Sequence, residues 1–169
     1  MRIFVAILLA FISTAALADS TSEDIRNDRA PDATDVISGL YAFSGFQQNL
    51  LESTDLKGNA EVKNLAALRA EEAAKRDKAL KEIQDTIGAE PRITKTTTGT
   101  SLAQPDETDG PAYVRSFYAA QIPEYEITIA LLDRYLRTPD NPALAAFARE
   151  HLPALRAQLK DAERIMADR

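Results

Sequence analysis

Apolar residues recur at intervals of three and four positions in four stretches of this chain, the pattern of amphipathic α-helices that bury one face. The clearest stretches run from Asp109 to the C-terminus, where two such patterns are joined by the short break Thr138-Pro139-Asp140-Asn141-Pro142. The region upstream repeats this plan. The pattern therefore predicts an all-α fold, a four-helix bundle of two antiparallel helical hairpins joined by a long crossover.

The first two predicted helices are delimited by capping residues. The first is expected to begin near Asp32 or Thr34, both of which are favourable N-cap residues. The second is expected to begin after Asn59 and to end at Gly88, which gives it about 28 residues. The positions expected to face the core are Val36, Leu40, Phe43, Gln47, Leu50 and Leu51 in the first helix, and Val62, Leu65, Leu68, Glu72, Arg76, Ala79, Leu80, Ile83 and Ile87 in the second.

The last two predicted helices each contain an internal proline. The third is expected to open with Asp109 as its cap and Pro111 in its first turn, and the fourth at Asn141-Pro142. Pro123 and Pro153 are expected to bend these helices near mid-length, because proline removes one backbone hydrogen bond. The core-facing positions are Val114, Phe117, Tyr118, Gln121, Tyr125, Thr128, Ile129, Leu132 and Leu136, then Leu144, Phe147, Ala148, His151, Leu152, Leu155, Gln158, Leu159, Ala162, Ile165 and Met166.

The predicted bundle domain spans residues 32–169, and a polar lead-in without apolar periodicity, residues 19–31, precedes it. Residues 88–108 are rich in Gly, Pro, Thr and Ser, so they are predicted to form the crossover between the hairpins. The alternative is a flexible linker between two independent hairpins. It is disfavoured because a lone hairpin buries too little apolar surface.

Residues 1–18 have the composition of a secretory signal peptide, with Arg2 before the apolar run Ile3 to Ile12 and Ala16-Leu17-Ala18 before Asp19. We expect cleavage near Ala18 and a periplasmic or secreted protein. A retained anchor is the alternative, but the apolar run is shorter than the roughly 20 residues that a membrane span needs. No membrane insertion is expected after cleavage.

Composition and charge exclude some ways of stabilising the fold and disfavour some classes of partner. The chain has no Cys, so disulfides and a lipid anchor on Cys are excluded and packing alone must stabilise the fold. The net charge is −6. Loss of Arg2 with the signal leaves 19 basic against 26 acidic residues, a net charge of −7. This balance argues against nucleic acid and against anionic membrane surfaces as partners.

Several polar residues fall near the centre of the apolar stripes, at mid-height of the helices, when positions are placed 100° apart. A buried polar group must be hydrogen-bonded, and a buried charge must be paired. We therefore expect these side chains to form one mutually satisfied layer in the core. They are Gln47, Glu72, Arg76, Gln121, Tyr125, His151 and Gln158.

That level is where ferritin-like bundles hold metals, with a Glu from two helices and Glu-x-x-His from the other two. This chain has no Glu-x-x-His, and Ala148 precedes its single histidine, His151, at that offset. Arg76 lies one turn from Glu72 and is a permanent cation, so it can take the charge position that a metal would fill. We expect no metal and no cofactor, and we interpret His151 as a core group.

The sequence holds no catalytic signature. Without cysteine a Cys/His set cannot form, the sequence shows no Ser/His/Asp motif around its single histidine, and no glycine-rich phosphate loop is present. The protein is therefore expected not to be an enzyme.

Short segments of the chain resemble a known family of exported ferritin-like proteins, catalogued as domain of unknown function 4142. The resemblance implies a ferritin-like fold and export. That family commonly has histidines at positions that correspond here to Ala73, Tyr125 and Gln158, so this chain lacks all three. The matching segments are Val62 to Ala66, Phe117 through Gln121-Ile122 to Leu132, Phe147-Ala148, Leu152-Pro153-Ala154-Leu155, Leu159 and Ala162.

The sequence leaves three functions open. The first is a non-enzymatic protein of the bacterial envelope, monomeric or dimeric, with a structural polar layer and a protein partner left open. The second is a residual single-metal or small-ligand site formed by Glu72, Tyr125 and His151. The third, association with membrane surfaces, ranks last because the outer helix faces mix charge signs and sum to negative.

Overall fold

The computed structural model describes residues 29–55, 59–92 and 111–168, and these residues form four α-helices without a strand. The helices are α1 (Ala33–Asp55), α2 (Ala60–Ile87), α3 (Pro111–Tyr135) and α4 (Pro142–Asp168). The predicted all-α four-helix bundle is therefore confirmed. The predicted signal peptide, most of the lead-in and most of the crossover lie outside the described residues.

Reciprocal hydrogen bonds define the beginning of α1. The Asp32 carboxylate accepts the Asp35 backbone N–H at 2.8 Å, and the Asp35 carboxylate accepts the Asp32 backbone N–H at 3.1 Å. This arrangement satisfies two of the backbone donors that a helix N-terminus leaves without partners. Of the two predicted caps, Asp32 is therefore the one used, and Thr34 lies inside the helix.

The predicted ends of α2 and the predicted start of α4 are confirmed. Asn59 caps α2 by accepting the Val62 N–H at 3.0 Å. Gly88 ends α2 in the left-handed region at φ 66°, where a residue without Cβ is favoured. At α4, the Asn141 side chain accepts the Leu144 N–H at 3.0 Å. The predicted cap of the third helix, at position 109, lies outside the described residues.

Each helix packs on two others: α1 on α2 and α3, and α4 on α3 and α2. The pairs Tyr41–Gln84 and Gln47–Arg76 join α1 to α2 with positions that rise on one helix and fall on the other, so these two helices are antiparallel. None of the four described helices combines the length and the hydropathy that crossing a membrane requires. Both α3 and α4 run without interruption through their internal prolines.

The core differs from the predicted stripe mainly on α2. Leu68 was predicted to face the core but is 47% exposed, whereas Ala66 and Ala73 are fully buried. Alanine and charged residues are interspersed along α2, so the sequence marks the apolar face of this helix only weakly. The apolar face predicted from the sequence is therefore rotated from the observed one. The largest fully buried side chains are Tyr125, Tyr135, Phe43, Phe117, Ile37, Leu40, Leu80, Leu132, Leu144 and Leu155.

The turn between α3 and α4 is held by Tyr135, which the sequence pattern did not assign to the core. Its hydroxyl donates to the Asn141 carbonyl and accepts from the Asn141 N–H, both at 3.1 Å. Burial, together with the neighbouring Asp140 carboxylate, raises the pKa of Tyr135 to about 12. This side chain therefore fixes the point at which α4 begins.

Candidate functional site

Arg76 lies inside the bundle, on the face of α2 that meets α1. Its side chain is 5% exposed. Its Nη2 donates to Ser44 Oγ at 2.8 Å and to Gln47 Oε1 at 2.9 Å, and its guanidinium carbon lies 5.1 Å from the centre of the Phe43 ring. The cation is thus held by neutral groups of α1 and by a cation–π contact.

Ser44 connects Arg76 to the nearest carboxylate. Its hydroxyl accepts from Arg76 and donates to Asp77 Oδ1 at 2.6 Å. Burial lowers the pKa of Arg76 and raises that of Asp77, while Ser44 and the Arg76 charge lower the pKa of Asp77. Sequence reasoning missed Ser44, although it lies four positions after Leu40 and three before Gln47 and therefore on the same helix face.

Glu72 belongs to a second group of polar side chains, between α2 and α4. Its Oε2 accepts from Arg69 Nη1 at 2.8 Å and from Gln158 Nε2 at 2.9 Å. Its side chain is 38% exposed, so it is not a core charge. In the described part of the chain, its ion pair is with Arg69 and not with Arg76.

Gln121 and Tyr125 are buried on α3 but do not join either group by a hydrogen bond. Gln121 Nε2 donates to the Phe117 carbonyl of its own helix at 3.1 Å. The Tyr125 ring packs edge-on against Phe43, with 5.3 Å between centroids. Burial raises the pKa of Tyr125, and the Arg69 charge opposes that rise. Neither Tyr125 Oη nor Gln47 Nε2 has a hydrogen-bond partner among the described residues.

The expectation of one mutually satisfied layer is therefore wrong. Arg76 turns towards α1 and Glu72 turns towards α4, while Gln121 and Tyr125 bond to neither of them. Several buried polar atoms keep no partner in the described part of the chain. Those belonging to the predicted layer are Gln47 Nε2, Arg76 Nε, Tyr125 Oη and Gln158 Oε1.

An open cleft of about 380 Å³ lies between α2 and α4. Arg76 lines it from α2, and Phe147, His151 and Leu155 line it from α4. Since Arg76 is also bonded to α1, this residue contributes to both interfaces of α2. The cleft combines an apolar part with one buried cation, and its other polar lining residues are Glu72, Lys75, Glu150 and Gln158.

His151 is partly buried beside this cleft. Its ring contacts Phe147, with 4.2 Å between centroids. Burial lowers the pKa of His151, the Glu150 carboxylate opposes this shift, and the Arg76 charge adds to it. His151, interpreted from the sequence as a core group, is therefore half-buried and lies at the border between the core and open space.

A second, smaller cavity of about 110 Å³ is lined by residues of α2, α3 and α4, among them Arg69, Tyr125 and Gln158. Glu72 and His151 line the larger cleft and Tyr125 lines this one, so the three residues predicted for a residual site do not share one cavity. Within the described ranges, no group of three His, Cys, Asp or Glu side chains could hold a metal ion.

Comparison with known proteins relates most of this region to a family. A family model described as "Domain of unknown function (DUF4142)" matches residues 54–165. The match runs from the end of α1 through most of α4 and includes every residue that lines the two cavities. No curated protein and no solved structure matches the chain.

Proposed function

The chain belongs to the family described as Domain of unknown function (DUF4142), and from that premise we propose that it is an exported, non-enzymatic helical-bundle protein of the bacterial envelope. In this proposal the bundle is of the ferritin-like kind, and the polar residues in its centre are structural. Arg76 is the residue that carries this role.

The supporting observation is the way in which Arg76 is held. Its two hydrogen bonds end on Ser44 and Gln47 of the neighbouring helix, and the whole group is buried. A buried donor that loses its acceptors costs free energy, so these bonds favour one alignment of α1 against α2. A permanent positive charge at this level also repels divalent cations at short range.

Metal analysis of the purified mature protein tests the structural role. We expect no stoichiometric metal, and we expect the thermal midpoint to be the same with and without a chelator. Metal bound in a fixed ratio, together with a lower midpoint in chelator, would contradict the proposal.

Export rests on residues 1–18 and is tested separately. We expect the protein recovered from a periplasmic or culture fraction to begin at Asp19, by intact mass and N-terminal sequencing. A chain that keeps Met1 and stays in the cytoplasmic fraction would overturn the export part alone.

A further inference from the structure

We propose that the cleft between α2 and α4 binds a small organic carboxylate, with its carboxylate group on the Arg76 guanidinium and its apolar part against Phe147 and Leu155. This binding goes beyond the structural role of Arg76. It uses donors of the guanidinium that the fold leaves without partners.

The first argument is the unused hydrogen-bonding capacity of Arg76. A guanidinium has five N–H donors in a rigid planar fork. Both bonds to α1 leave from Nη2, and Nε is buried without a partner. Among the described residues no carboxylate lies within ion-pair distance of Arg76, and its link to Asp77 passes through the Ser44 hydroxyl. An oxyanion would supply both the acceptors and the counter-charge, since carboxylates match the guanidinium fork.

The second argument is the shape and lining of the cleft. Its volume of about 380 Å³ lies within the range of small-molecule sites. Away from Arg76 the walls include Ala79, Phe147, Ala154 and Leu155, which offer apolar contact and no hydrogen bonds from their side chains. A ligand that rests against these four side chains gains most if it is apolar beyond its charged end. This favours an organic acid over an inorganic oxyanion.

The third argument is the charge around the cleft. Glu72 also lines it, but Arg69 and Gln158 already donate to its carboxylate, so this charge is largely compensated. Glu150 and Lys75 line it with opposite charges, both are exposed to solvent, and Lys75 is paired with Glu71. With a net charge of −6 on the chain, a dianion would meet more repulsion than a monoanion. The ligand class is therefore a monocarboxylate with a compact apolar body.

Benzoate and benzamide are a matched pair of probes, because they share the ring and differ in the negative charge. In titrations of the mature protein followed by calorimetry or NMR, we expect saturable benzoate binding with a dissociation constant of about 1 mM. Benzamide should bind at least about tenfold more weakly, because it lacks the charge that pairs with Arg76.

Two cleft variants and one control variant test whether benzoate binds in the cleft. Ala154→Trp should fill the space from α4 and remove benzoate binding, whereas Ala157→Trp, also exposed on α4 but not lining the cleft, should leave it unchanged. Ala79→Leu narrows the same cleft from α2 and should also weaken binding. Helical content measured by circular dichroism verifies that each variant is folded.

Four results would overturn the inference: no saturable benzoate binding, equal binding of benzamide, binding that survives both Ala154→Trp and Ala79→Leu, or tighter binding of inorganic phosphate than of benzoate. None of these results affects the metal analysis or the N-terminal sequencing. Failure of this inference is therefore distinguishable from failure of the proposed function.

Discussion

The two sides of α2 are built differently. Towards α1, hydrogen bonds between buried or half-buried side chains close the interface, including those of Arg76 to Gln47 and of Tyr41 to Gln84 at 2.9 Å each. Towards α4, a side-chain hydrogen bond from Gln158 to Glu72 joins the helices, and a cleft of about 380 Å³ remains beside it.

The difference follows from the side chains that each partner helix presents. From α1, Phe43 and Gln47 reach the Arg76 side chain and surround it. Where α2 meets α4, the cleft is bordered by Ala79 and Ala154, which are too small to fill the gap. One helix can thus combine a closed interface that stabilises the fold with an open one that offers space for a ligand.

Removing Arg76 should destabilise the interface between α1 and α2 more than any other substitution proposed. Arg76→Ala leaves the acceptors of Ser44 and Gln47 without their donor and opens a void, so we expect the free energy of unfolding to fall by about 3 kcal/mol. Urea denaturation measures this change in the free energy of unfolding. The matched control is Arg156→Ala, an exposed arginine paired with Asp133 at 2.6 Å, which should cost less than about 1 kcal/mol. Equal losses in the two variants would show that Arg76 does not stabilise the interface.

Enlarging a buried alanine of α2 and an alanine that lines the cleft should have different effects on stability. Ala73 is fully buried, so Ala73→Leu should reduce the free energy of unfolding by about 2 kcal/mol through overpacking. Ala79 lines the cleft, and Ala79→Leu should change stability by less than about 0.5 kcal/mol because the added carbons enter open space. Thermal or urea unfolding of both variants provides the comparison. A larger loss for Ala79→Leu would contradict the existence of the cleft.

The same Gln→Leu substitution can be made at each of the two interfaces of α2, and its effects on stability should be smaller. Gln47→Leu removes an acceptor of buried Arg76 and should cost about 1 to 2 kcal/mol. Gln158→Leu should cost less than about 1 kcal/mol, because Glu72 keeps its bond to Arg69 and Gln158 Oε1 has no partner to lose. Unfolding curves in urea measure both changes, and the reverse order would reject the contrast between the interfaces.

The smallest expected effect is the pH dependence due to His151 on the open side. Burial lowers the pKa of His151 below its usual 6.5, so the unfolded chain takes up the proton first. This contribution to stability is present above about pH 6.5 and is lost as the pH falls through the lower folded pKa. His151→Gln should therefore lose less stability between neutral pH and about pH 5 than the parent chain.

Glu150→Gln serves as the control for this titration, because the Glu150 carboxylate opposes the shift. Its removal should lower the pKa of His151 further and increase the loss of stability on acidification. Chemical denaturation at a series of pH values gives both slopes, and NMR of the His151 ring gives its pKa directly. Parallel pH profiles in all three proteins would exclude this role of His151.

The helix ends could be predicted because their signals are local. Asn59 and Asn141 cap α2 and α4 through bonds to backbone groups three positions ahead, and Gly88 ends α2 by its own backbone conformation. Such contacts depend on neighbours in the sequence and hardly on the rest of the fold. The periodicity of apolar residues predicted the number and order of the helices for the same reason.

The contacts of the candidate site could not be predicted in this way. Glu72 and Arg76 are four residues apart, and four residues correspond to only about 40° around a helix. A rotation of α2 of that size decides which side chain meets α1 and which meets α4. The role of Ser44 could not be predicted for a related reason. A serine on a helix face becomes a hydrogen-bond acceptor for an arginine only when another helix brings that arginine against it.

The amino-acid sequence alone determined that this protein has four α-helices and where most of them begin and end. Only the tertiary structure decided that Arg76 turns towards α1 and Glu72 towards α4, and that a cleft lies beside Arg76. The physical reason is one of range: capping and periodicity act within a few residues, whereas hydrogen-bond partners and cavity volumes depend on how separate helices rotate and approach one another.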